Sequence, residues 1–163
     1  MNNIDLELKE IINSSIENFD FFSKENTVES FIDQILFYFN VSYDYGLESY
    51  CISYDFFSEE EISKFPVKVE KLFERAIKQY PNSLELNFWR LYINELNSFS
   101  NGFYKDQILD ILKKEDHLLM YFYLHIQCGI SNNDKLSVLK ENLVNEKKGY
   151  QKFYMLPYLS DIN

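Results

Sequence analysis

An all-α fold of seven or eight helices is predicted from three features of this 163-residue chain. Apolar residues recur at helical spacing in one segment after another. No stretch alternates convincingly between apolar and polar residues. Gly 4 and Pro 3 are too few to turn the corners of a sheet protein. Aromatic residues make up 18% of the chain, and each ring buries a large area, so even short helices can build a substantial core. Aromatic richness also argues against disorder. The length predicts one compact domain over residues 1–163.

The helices can be placed in order. Ile4, Leu8, Ile11, Ile12 and Ile16 share one helical face, with Asn3 as the expected N-cap. Asn26 followed by Glu29 reads as a capping box opening a second helix, whose inner face is Phe31, Ile32, Ile35, Leu36 and Phe39. Gly46 is expected to break that run before a third segment near 47–56. Ser58 and the three glutamates after it repeat the capping pattern, with carboxylates where the helix dipole favours them. Pro66 suits the first turn of the next helix, which runs over 67–80 through Val69, Leu72, Phe73, Ala76, Ile77 and Tyr80. Pro81-Asn82-Ser83 ends it, and a further helix is expected over 84–97. After a loop at 97–102, three helical stretches are expected near 105–114, 116–128 and 132–146, then a short aromatic tail.

Charge is distributed unequally. Residues 1–65 hold 14 Asp+Glu against 3 Lys+Arg, whereas residues 66–163 hold 12 against 13. Net charge bears on association more than on fold, so the acidic, aromatic N-terminal part is expected to face something positive, beside a near-neutral C-terminal part. Within it, residues 38–61 interleave tyrosines with carboxylates. Tyr43, Asp44, Tyr45, Glu48, Tyr50, Tyr54, Asp55, Glu59, Glu60 and Glu61 are the candidate partner-binding residues. Tyrosine offers an apolar face with a polar tip, and carboxylates receive arginine or lysine from a partner.

Several functions find no support in the residues. His117 and His125 stand eight apart on one expected helix, about 12 Å along its axis, so they cannot share a metal ion unaided. The acids at 115–116 are expected to cap that helix. Cys51 and Cys128 form no metal or redox motif and are expected as free thiols of a reducing cytoplasm. No phosphate-binding glycine loop, nucleophile elbow or cofactor motif is present, so no enzyme activity, cofactor or metal is expected. Acidity disfavours nucleic acid as a partner. The acidic start without a basic leader, and an apolar run no longer than residues 118–124, predict a cytoplasmic protein without a membrane partner. Abundant Lys, Asn and Ile suggest A/T-rich coding and a bacterial source.

Two resemblances add to this. Phe73, Ala76 and Pro81 stand at the spacing found in the second helix of a tetratricopeptide repeat, and Trp89 and Tyr92 follow as in a half-a-tetratricopeptide unit. This likeness covers residues 72–95. It implies stacked antiparallel α-α hairpins, a superhelix of the tetratricopeptide kind, and an adaptor or chaperone gripping a peptide with Trp89, Tyr92 and Asn94. In overall character the chain is similar to small acidic bacterial immunity proteins. That likeness implies an inhibitor that occludes a basic toxin, often a nuclease, with its acidic and aromatic face.

Overall fold

A computed structural model describes residues 24–98, 103–145 and 149–162, and every regular element among them is helical. The helix expected over residues 4–16 lies outside the described residues. The chain divides into two compact units, residues 1–76 with 148–151 and residues 77–147 with 152–163.

The first unit is organised on helix α1 (Val28–Tyr43). Its start lies one residue beyond the expected Asn26–Glu29 pair. Thr27 is the N-cap, its hydroxyl accepting the Ser30 N–H at 3.2 Å while the Ser30 hydroxyl accepts the Thr27 N–H at 3.1 Å. Ser30 is buried and Glu29 exposed, so the shorter side chain closes the box beside the core. From Ser30 to Phe39 every residue of α1 is buried, which makes it the central helix of the unit. Asp33 is among them. Its Oδ1 accepts the Gln151 N–H at 2.8 Å. A Cβ on Gly149 would stand only 3.1 Å from this carboxylate, so the close approach favours glycine there.

Helix α2 (Tyr45–Ser53) begins immediately after α1, and the residue that divides them is Asp44, not Gly46. The Asp44 Oδ1 accepts the N–H groups of Gly46 and Leu47 at 2.9 and 3.1 Å, which places the glycine inside the first turn. Cys51 is fully buried on this helix, and burial pushes its thiol up to about 11. The chain then turns through Asp55, which takes a left-handed conformation at φ 56°, into the short α3 (Glu59–Ile62). Helix α4 (Phe65–Gln79) follows, with Pro66 in its first turn as expected, and buries Phe65, Val69, Leu72, Phe73 and Ala76. Rings close the core: Tyr38 meets Phe65 at 4.7 Å, Phe57 meets Phe65 at 5.2 Å, and Phe37 meets Tyr150 at 5.2 Å.

In the second unit, Ser83 caps α5 (Leu84–Asn97), accepting the Leu86 N–H at 3.2 Å. This helix buries Leu86, Phe88, Trp89, Tyr92 and Ile93, and next to it pack α6 (Lys105–Leu112) and then α7 (Leu118–Cys128). The acids at 115–116 do not cap α7. Glu115 ends a 3-10 turn (Lys113–Glu115), Asp116 is left-handed, and His117 is itself the N-cap through its Nδ1, which accepts the Leu119 N–H at 3.3 Å. Gly129, left-handed at φ 65°, ends α7, and α8 (Asn133–Asn145) follows.

The expected aromatic tail is a structured element. It forms α9 (Tyr150–Met155) and a 3-10 turn (Leu156–Leu159), and Tyr154, Met155, Leu159 and Ile162 are buried. Trp89 sits edge-on to Tyr154 at 5.8 Å. Trp89 and Tyr92 are therefore core residues, and neither offers a surface for the peptide groove the repeat resemblance implies.

Candidate functional site

The predicted partner-binding residues all lie in the first unit, in two groups. The first occupies the junction of α1 and α2. Tyr43 and Tyr45 are 52% and 85% exposed, and with Val67 are the large apolar residues most displayed among the described residues of this unit. Tyr43 is backed by the Phe39 ring at 4.8 Å, which stiffens it, and Asp44 stands between the two with its carboxylate turned back to the helix start. Glu48 is half-buried one turn further on.

The second group surrounds a depression of about 600 Å³ lined by Ile52, Asp55, Phe56, Phe57, Ser58 and the three glutamates that follow. Two devices build it. The left-handed backbone at Asp55 folds the end of α2 back, its N–H donating to the Ile52 carbonyl at 3.1 Å and that of Phe56 to the Cys51 carbonyl at 2.9 Å. The capping box then starts α3: the Glu61 Oε2 accepts the Ser58 N–H at 2.9 Å and the Ser58 hydroxyl at 2.8 Å. The backbone bond from Ser58 first, then its hydroxyl, holds the Glu61 carboxyl below the usual carboxylate range. Tyr50 and Tyr54 lie ring to ring at 4.4 Å, each 6.4 Å from Phe56, and neither lines the depression itself.

The glutamates differ in what they can offer. Glu61 is engaged in the cap. Glu60 pairs with Lys64 at 2.5 Å across one helical turn. Glu59 and Asp55 are exposed, and neither joins an ion pair among the described residues. A partner cation would find those two carboxylates least encumbered, over half-buried phenylalanine rings.

Sequence reasoning missed Phe56, Phe57 and Ile52 as lining residues, and missed a neighbouring feature altogether. Beyond Phe57 and Glu61 lies a second depression, also lined by Lys64, Phe65, Val67, Lys68 and Lys71. The acids are therefore bordered by lysines. Spacing could have revealed this, since 64, 68 and 71 are four and three apart and share a helix face.

Other candidates resolve into local structure. The His117 Nε2–H donates to Glu85 at 3.3 Å, and the His125 nitrogens contact the Ser131 hydroxyl at 2.8 Å and the Tyr158 carbonyl at 3.1 Å. Among the described residues no group of three His, Cys, Asp or Glu is placed to hold a metal ion, and no helix is long and apolar enough to cross a membrane. Both cysteines are free thiols. Comparison with family models, curated proteins and solved structures returned no match to this chain.

Proposed function

We propose that this chain is a non-enzymatic inhibitor of the immunity type, which binds a basic toxin domain through the acidic and aromatic face of its first unit. A nuclease is the toxin class that fits best, because its cationic surface is built to meet phosphate charge. The observation that carries the reading is the depression in which Asp55 and Glu59 stand exposed around Phe56 and Phe57, without ion pairs among the described residues. Charge excess around it adds long-range pull: the described part of this unit carries 11 Asp+Glu against 5 Lys+Arg. Such a field speeds encounter with a cationic partner, and desolvated rings then slow its release.

The test is binding to the product of the adjacent gene, followed by surface plasmon resonance and calorimetry over a salt series. Replacing Glu59 by lysine and Asp55 by asparagine, which keeps the left-handed turn, while sparing Glu61 so that the cap survives, lowers the association rate by about tenfold or more at low salt and leaves the helical signal intact. Binding of about 1 μM or weaker that ignores salt overturns the proposal, because steering by charge must weaken as ions screen it.

A further inference from the structure

The first unit is acidic, yet three of the five basic residues in its described part line one depression. Lys64, Lys68 and Lys71 border a space of about 480 Å³ whose apolar lining is Phe57, Phe65 and Val67. Val67 is 58% exposed on a helix whose other face is well buried. The lysine stems can extend this apolar lining while their ammonium groups stay at its edge.

The three ammonium groups are not equivalent. Lys64 is committed to Glu60. Lys68 lies over the Tyr38 ring, 4.1 Å from its centre, and burial holds its ammonium below the ordinary lysine value, with Glu61 opposing. Lys71 is exposed and joins no ion pair among the described residues. Glu61 is the carboxylate of the lining, and its Oε2 is turned to Ser58. Lys68, seated on the Tyr38 ring at the edge of an apolar floor, and Lys71 one turn on present two cations to an anion. The volume falls within the range of small-molecule sites.

We propose that this depression binds a small amphipathic anion, a carboxylate or sulfonate on an aromatic or branched apolar group, with the apolar part on Phe57, Phe65 and Val67 and the anionic head between Lys68 and Lys71. The site stands apart from the acidic depression in its chemistry and does not rest on the inhibitor reading. Its occupant would sit beside Glu61, next to the face offered to a partner.

Anilinonaphthalene sulfonate, which joins an aromatic body to one negative charge, is the probe, with uncharged N-phenylnaphthylamine as its control. Titrated into the folded full-length chain, the sulfonate gives saturable fluorescence at one site per chain. The double variant K68M/K71M, which keeps the stems and removes the charges, weakens it about tenfold or more, while the neutral control changes little. A parallel amide and methyl NMR titration of the unaltered chain places the shifts at Val67 and Lys71, so the result does not hang on the variants folding. Non-saturable fluorescence, shifts elsewhere, or sulfonate binding that K68M/K71M leaves unchanged overturns the proposal.

Discussion

The two units make opposite use of carboxylates. In the second, the acids nearly balance the bases, and three of those with partners also join pieces of the chain that are distant in sequence. Glu85 receives His117, Glu95 receives Tyr123 and the backbone of Tyr104, and Asp116 receives Lys135 and Tyr121. In the first unit, partnered acids mostly serve their own helix start, as Asp44 and Glu61 do, with buried Asp33 as the long-range exception. Its remaining acids are largely displayed. The difference teaches that net charge alone does not mark a surface. What matters is whether a carboxylate is already bonded.

The largest effect expected anywhere in the molecule lies in the second unit. Trp89 is fully buried among Phe88, Tyr92, Phe122 and Tyr154. Trp89→Ala empties that space and is expected to cost about 3–5 kcal/mol in denaturant unfolding followed by circular dichroism. A cost below 1 kcal/mol would mean the indole is not a core anchor, and the groove of a repeat adaptor would return to consideration.

Next in size is a matched pair that addresses the comparison directly. Glu95 is 2% exposed, and its two oxygens take the Tyr123 hydroxyl at 3.0 and 3.1 Å while Oε2 also takes the Tyr104 N–H at 3.1 Å. Glu95→Ala strands a buried hydroxyl and an amide, for an expected loss of about 3 kcal/mol. Glu59→Ala, made in the displayed set, is expected to stay within about 0.5 kcal/mol in the same unfolding assay. Equal losses for the two would erase the distinction between bonding and displayed acids.

Much of this was legible from residue order. Helix positions followed from apolar spacing wherever the pattern was strong: the 84–97 helix and the Ser58 capping box emerge as expected. The errors share one cause, a choice between adjacent polar residues that only packing decides. Thr27 displaces Asn26 because Ser30 can be buried and Glu29 cannot. Asp44 displaces Gly46 because its backbone N–H closes α1 on the Asn40 carbonyl while its carboxylate opens α2. His117 displaces its acidic neighbours because Asp116 is drawn outward to Lys135. The aromatic tail was expected, but not what it packs on. Its partners, Trp89 and Tyr92, are some sixty residues away, and no local pattern announces a long-range contact. At the candidate site, acid content was visible, but which acids remained unbonded depended on Lys64 and Ser58, whose bonds the spacing alone does not assign.

The smallest expected effect concerns pH and tests a bonded acid without removing a side chain. The His117 Nδ1 accepts the Leu119 N–H, so its other nitrogen carries the proton that Glu85 receives. That bond is the main cause holding the Glu85 carboxyl down at about 2, against the opposing pull of burial. A carboxyl depressed in the folded state contributes stability that is fully present above its ordinary value near 4.5 and is lost as pH falls through about 2. The Glu85 side chain is 42% exposed, so solvent screening keeps the contribution under about 1 kcal/mol. Urea midpoints measured from pH 5 to 2 should therefore decline less steeply for Glu85→Gln than for the unaltered chain, since the amide still accepts the imidazole proton and does not titrate. Parallel curves for the two proteins would show that Glu85 draws no stability from His117, and the contrast between the units would then rest on Glu95 and Asp116 alone.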